Sequence, residues 1–520
     1  MLQALLVALF LQSPQPYDLI ISNGTIVDGS GNPWFRGDVA IRGDSVAQIG
    51  LLSDAKALRR IDARGLVIAP GFIDIHTHSR RGIFQDPNAQ NYIRQGVTTV
   101  LEGNDGSSPL PLAPFFEKLL QNKIAVNFGS FAGQGSIRQQ VLGLENRKAT
   151  EAEIGRMKEL ARQSMREGAF GLSTGLFYVP GNFTPTEEVI EIAKVIGALG
   201  GMHISHMRDE AAGVMDSVRE TIRIGEEGGL PTQVTHHKII GRSNWGRSAE
   251  TLQLVEQART RGVDVTIDAY PYTASSTGLA ALFPQWSQAG GQKALVERLS
   301  APEQRARIKA GIVENILVNR GGGDPKNIVI TTCSFDAKLA GKSLSDITAE
   351  HGRAVTAENA AETAIELQEK GSCSTVYHAI DESDVERVLR SPYTMIGSDG
   401  EIPVFGQGAP HPRSYGTFAR VLARYVRERK VLTLEDAIRK MSGYPAERLK
   451  LLDRGLLRPG MKADIVVFDP ATVQDKADFA NPHHYAEGFR YVIVNGTPII
   501  DAGKLTQERP GRVLYGPGKQ

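Results

Sequence analysis

The middle of this chain alternates: short apolar runs end on glycine or a polar residue, and most are followed by a stretch with helical periodicity. The runs end near His78, Gly103 (TTVLEG), Gly129 (IAVNFG), Gly175 (FGLSTG), His206 (GMHISH), His236 (PTQVTH), Tyr270 (VDVTIDAY) and Asp399 (YTMIGSD). Helical patterns occupy Thr150 to Glu167, Pro185 to Leu199, Ala211 to Glu227 and Ser248 to Arg261. A helix between two strands carries the chain back to its starting end, so the strands must pair in parallel. About eight such units predict an α/β fold of the (β/α)₈ TIM-barrel type. A doubly wound open sheet is the alternative, but no glycine-rich phosphate loop follows the first strand to support it.

Both ends read differently. From Tyr17 to Leu66, and again in KADIVVFD and YVIVNGTPIID, short alternating segments are punctuated by Gly and Asn-Gly turns, the pattern of antiparallel strands. These predict one small β-sandwich built from both termini, 17–68 with 455–520, around a barrel at 69–454. Between the seventh and eighth strands lies far more chain than one helix needs. Its own helical and strand patterns (GQKALVERL, PEQRARIKAGIVENI, NIVITTC) predict an inserted subdomain at about 286–350, above the barrel mouth.

Fifty-nine basic and 58 acidic residues leave a net charge of +1, and there is no long basic run, which argues against nucleic acid as a partner. The apolar run Met1 to Leu11 is too short to span a bilayer, so no stable membrane span is expected. It is read, within 1–16, as a signal peptide of an exported protein, with a cytoplasmic location the alternative, although no Lys or Arg precedes Arg36. Cys333 and Cys373 lack metal-site spacing and are expected to be two inert buried thiols, a disulfide being the alternative.

Chemistry in such a barrel gathers where the strands end. GFIDIHTH ends strand 1 with two histidines one residue apart, and side chains at i and i+2 share a face, so His76 and His78 form a chelate. Glu102 and Asp105 follow strand 2, His206 ends strand 5, His236 strand 6 and Asp399 strand 8. Four imidazoles with two or three carboxylates suit one or two borderline divalent ions such as Zn²⁺, with a carboxylate bridging a pair. His203 and His237 should face away from the mouth, His351, His483 and His484 should lie on the surface, and His378 and His411 near the mouth.

The segments GFIDIHTH, GVTTVLEGNDG, FGLSTGLFYVPG, ISHMRDE, VTHHK, DAYPYTASST, MIGSDG and HPRSYGTFARVL occur in this order. In them the chain resembles the N-acyl-D-amino-acid deacylases, the D-aminoacylase branch of the amidohydrolase superfamily, over nearly its whole length. The resemblance implies a metal-dependent hydrolase of linear amides acting on a small N-acyl amino acid. It implies that His76 and His78 hold one metal, His206 and His236 the other, and that Asp399 moves protons. Lys238 and Arg413 match the cationic pair that grips the substrate carboxylate, assisted by a strand-7 tyrosine, Tyr270 or Tyr272. One departure stands out: the family's GNCG reads GNDG here, with Asp105 in place of the ligating cysteine and Glu102 a second candidate. A harder ligand loosens the preference from Zn²⁺ toward Mn²⁺ or Co²⁺. The rivals are a D-residue dipeptidase, a hydrolase of cyclic amides, against which the lack of a strand-4 lysine weighs, and a noncatalytic binding protein on the same fold.

Overall fold

The computed structural model describes residues 15–520, so the expected leader, 1–16, falls almost wholly outside the described residues. Eight positions around a ring carry parallel strands: Phe72–Asp74, Val97–Glu102, Asn127–Ser130 continued by Ala132–Gly133, Gly171–Gly175, Met202–His206, Thr232–Val234, Val265–Ala269 and Thr394–Ile396. The third is broken at Phe131: its first part pairs with the second strand and its last two residues with the fourth. A parallel bridge between Thr77 and Gly400 joins the first strand's extension to that of the eighth and closes the ring. Ile73, Ile75, Leu101, Phe131, Met202, Ile204 and Met395 pack together as the barrel's inner core, while Val97, Val100 and Leu172 belong to a larger core shared with the surrounding helices.

Local chemistry sets the helix ends. Thr150 and Glu153 form a reciprocal capping box at the start of Glu151–Glu167, and Gly168 ends that helix at φ 114°, a conformation that suits glycine. Met157, Ala161, Ser164 and Met165 recur at helical spacing and form its buried face.

Strands from both termini meet in one nine-stranded sheet. The strand Tyr17–Ile26 divides it. Along one edge its first half pairs with Ala57–Asp62 and its second half with Val67–Pro70, the strand that leads on to the C-terminal Ile465–Phe468. The sheet therefore splays and folds over a core that includes Ile21, Ile41, Ile61, Ile465 and Ile493. The last residues depart from the expected boundary of 455–520. Val513 bridges Phe128, and the amide of Gly516 bonds the carbonyl of Gly168, so the tail leaves the sheet and lies against the barrel.

The inserted subdomain is wider than 286–350. A three-stranded antiparallel sheet, Ser275–Gly278, Cys373–Tyr377 and Ile328–Cys333, carries helices whose core runs from Leu279 to Tyr377. The edge strand SSTG and the central strand CSTVY are short and polar, and they pair across about a hundred residues of chain, which hides them from local patterning. Cys333 and Cys373 face each other across this sheet and form a disulfide, which corrects the expectation of two inert thiols.

Candidate metal centre

The regular part of strand 1 ends at Asp74, earlier than the sequence pattern suggests, yet His76 and His78 remain a chelate. Backbone bonds from Thr77 to Leu101, from His78 to Gly400 and from Asp399 to His76 lash this extension to strands 2 and 8. His206 and His236 arrive from strands 5 and 6, with His206 Nδ1 and His236 Nε2 2.6 Å apart. Strict alternation would turn His236 away from the mouth. Its backbone adopts φ 33°, and those of Asp105 and Asp399 φ 54° and 53°. Three left-handed non-glycine residues within one site are strain retained where side chains must be aimed.

Asp105 joins the two histidine pairs. Its Oδ1 lies 3.4 Å from both His76 Nε2 and His236 Nε2, and its Oδ2 lies 3.4 Å from His78 Nε2 and 3.6 Å from His206 Nδ1. Asp399 Oδ1 completes the first group, 3.0 Å from His78 Nε2 and 3.6 Å from His76 Nε2. Four-coordinate zinc with bonds of about 2.0–2.2 Å has ligand-to-ligand edges of roughly 3.3–3.6 Å. The four Asp105 spacings and that of Asp399 to His76 fit a divalent cation, while the Asp399–His78 and His206–His236 contacts are shorter. Two further observations agree. His76 Nε2 and Asp105 Oδ1 are buried without hydrogen-bond partners. Burial lowers the proton affinity of His76 and His78, but the carboxylates around them win and hold both well up, His78 at about 9. The field that favours protons on these rings also favours a metal cation among them.

Glu102 does not join the cluster. Its Oε2 accepts the backbone N–H of Arg80 at 2.9 Å and its Oε1 lies 3.5 Å from the Arg80 guanidinium, so Asp105 alone is the strand-2 candidate. Gly175, ending strand 4, packs against the Asp105 backbone so closely that a Cβ there would strike the Asp105 carbonyl. The GNDG loop thus occupies the space that a strand-4 side chain would need.

Lys238 and Arg413 are both buried and both paired with acids. The Lys238 ammonium donates to Glu210 and to the His236 carbonyl (2.9 Å), and its Nζ lies 2.8 Å from His236 Nδ1. Arg413 Nη1 donates to Asp399 Oδ2 at 2.7 Å and Nη2 to the Ser276 carbonyl at 3.3 Å. Tyr270 lies beneath both cations, its ring centre 5.0 Å from the Arg413 guanidinium carbon and 5.6 Å from Lys238 Nζ. Its buried hydroxyl has no partner, and burial pushes its proton affinity well up, so it is a neutral donor. Tyr272 faces elsewhere, against Arg420 and the Pro412 carbonyl. His411 Nδ1 accepts the Arg413 amide. His203 lies between Thr174 and Thr232, and His237 is on Thr251, both turned from the mouth.

Two residues were missed by sequence reasoning. Asp268 Oδ1 accepts the His236 amide at 2.7 Å and lies 3.3 Å from His76 Nδ1, fixing both rings from below. Its signal was available: it lies two residues before Tyr270 on strand 7, on the same face. Glu210, four residues after His206, lies 3.3 Å from His236 Nδ1. A cavity of about 460 Å³ opens above these groups, lined among others by His78, Asp105, Lys238 and Arg413.

A closed parallel barrel that gathers histidines from strands 1, 5 and 6 around a shared carboxylate, with an aspartate from strand 8, defines the site of a metal-dependent barrel hydrolase. The amidohydrolase family model matches residues 59–314 and 334–500, and the chain belongs to that family. It is 39% identical to a D-aminoacylase of Alcaligenes xylosoxydans xylosoxydans, over 96% of this chain and 98% of that one. It is 36% identical to an N-acyl-D-glutamate deacylase of the same organism, over 96% of each. Among solved structures, the N-acyl-D-glutamate deacylase of Bordetella bronchiseptica, complexed with zinc and a phosphonate mimic of the tetrahedral intermediate, superposes with a TM-score of 0.83 at 33% identity. That match covers 96% of this chain and all of the other, 100%.

Proposed function

We propose that this protein hydrolyses the amide bond of N-acyl-D-amino acids, releasing a carboxylate and a D-amino acid. The observation that carries the reading is the contact of Arg413 with Asp399, 2.7 Å, beside the unpartnered Tyr270 hydroxyl and the metal-ligand cluster. It brings a carboxylate-binding cation to the group that moves protons. The relatives that act on N-acyl-D-amino acids support the substrate class. A divalent ion, zinc or a harder one suited to Asp105, would be held by His76, His78, Asp105 and Asp399, or by Asp105, His206 and His236, and supplies polarisation of the carbonyl and acidification of water.

The chain's own residues do the rest. Asp399 Oδ1 faces the histidines and takes the proton of the attacking water, then gives it to the leaving nitrogen as the C–N bond breaks. Arg413 holds the other oxygen of Asp399 and keeps N–H groups free for the substrate α-carboxylate. One guanidinium spanning both carboxylates fixes the distance between proton carrier and Cα. With the scissile carbonyl also fixed, only one configuration leaves its side chain in open space.

Arg413→Ala tests this. Its kcat/KM on N-acetyl-D-amino acids should fall about 10- to 100-fold further than on the matching N-acetyl amines, the loss expected for a charge-assisted contact of about 1.5–3 kcal/mol. Equal losses on acids and amines would remove Arg413 from substrate recognition.

A further inference from the structure

The inserted subdomain sends one cation into the catalytic cavity. The helix Pro302–Leu317 stops just before Arg320, and Gly321, Gly322 and Gly323 follow it. Gly322 and Gly323 take φ 56° and 91°, and the amides of Gly321 and Gly323 return to the carbonyls of Asn315 and Ile316. A Cβ on Gly321 would strike the backbone of Ile316, so this tight reversal needs glycine. It presses Arg320 inward: the residue is 5% exposed, and its guanidinium carbon sits 4.2 Å from the centre of the Phe177 ring. Arg320 lines the same cavity as His78, Lys238 and Arg413.

Of the buried cations in that cavity, its charge is the least committed. Lys238 is bonded to Glu210, and Arg413 to Asp399. Among the described residues no hydrogen bond from the Arg320 guanidinium is found, and the nearest carboxylate oxygen, Glu210 Oε2, is 3.6 Å away. That oxygen is itself without a hydrogen-bond partner. None of the Arg320 nitrogens is sealed from solvent, so its five N–H donors can be offered to a ligand. Lys238, Arg320 and Glu210 together retain one positive charge, the complement of a single carboxylate.

We propose that Arg320 is a carboxylate-binding residue of the active site, supplied by the inserted subdomain, so that this subdomain reads the anionic part of the substrate. The proposal rests on the functional reading above. The carboxylate is either the α-carboxylate common to all N-acyl amino acids or the side-chain carboxylate of an acidic one.

The test is steady-state kinetics of metal-loaded wild type, Arg320→Gln and Arg320→Lys. The substrates are N-acetyl-D-leucine, N-acetyl-D-glutamate, N-acetyl-D-glutamine and the amine analogue N-(3-methylbutyl)acetamide. If Arg320 holds the α-carboxylate, Arg320→Gln raises KM about 10- to 100-fold for all three acids and not for the amine. If it holds the side chain, only N-acetyl-D-glutamate is affected. Arg320→Lys, which keeps the charge but not the fork, recovers part of the loss, and it carries the test alone should the Gln variant fail to fold. No change in any KM, or an equal change on the amine, overturns the proposal. If wild type hydrolyses none of these amides, the functional reading fails by itself. Calorimetric titration of glutarate against glutaramide then still decides Arg320: about tenfold weaker glutarate binding in Arg320→Gln supports it, and equal binding overturns it.

Discussion

Asp399→Asn is expected to lower kcat by about 10² to 10⁴ while leaving the protein folded and its metal content close to that of wild type. Asparagine has the same shape and keeps an oxygen for Arg413, whose partner at 2.7 Å would otherwise be lost in a buried site. The three other groups of the first cluster, His76, His78 and Asp105, remain in place. The variant lacks a carboxylate able to take and return a proton. Metal analysis alongside single-turnover rates checks both halves of the expectation. A kcat within about threefold of wild type would take proton transfer away from Asp399.

The second large effect is expected at Asp105. Because its two oxygens each face one histidine from either pair, Asp105→Ala should weaken both halves of the centre at once, with metal affinity falling by more than about 100-fold, beyond what loss of an outer partner costs. Asp105→Cys restores an anionic ligand and should bind zinc, with manganese and cobalt disfavoured by the softer sulfur. Glu102→Gln is the internal control. Glu102 holds the Arg80 amide and does not face the histidines, so metal affinity should stay near that of wild type. Chelator competition on the three variants measures this. A greater loss at Glu102 than at Asp105 would reverse the assignment.

Much of the barrel is legible because strand and helix periodicities differ and the turn residues sit at the strand ends. Gly103, Gly175, His206 and Tyr270 mark ends that the structure places within a residue or so. The broken third strand escapes that reading, since its two parts pair with different neighbours through contacts remote in sequence. So does the insertion's sheet, whose partners Ser275–Gly278 and Cys373–Tyr377 flank the whole unit. In the site, the histidines and Asp399 follow from strand-end position, but the choice between Glu102 and Asp105 does not. It is made by Gly103 and Gly106 at φ 81° and 74°, which bend the loop so that Asp105 points inward. The pairing of Lys238 with Glu210 and of Arg413 with Asp399 is likewise three-dimensional, and sequence shows only four charged residues, 28 and 14 positions apart within each pair.

The most direct test of the account is hydrolysis of N-acetyl-D- and N-acetyl-L-amino acids by protein of defined metal content. The account predicts turnover of the D-series that is lost on chelation and restored by a divalent ion, with the L-enantiomers slower by about 10² or more, the scale of specificity that a few fixed contacts provide. Equal rates on the two series, or turnover indifferent to the metal, would contradict it.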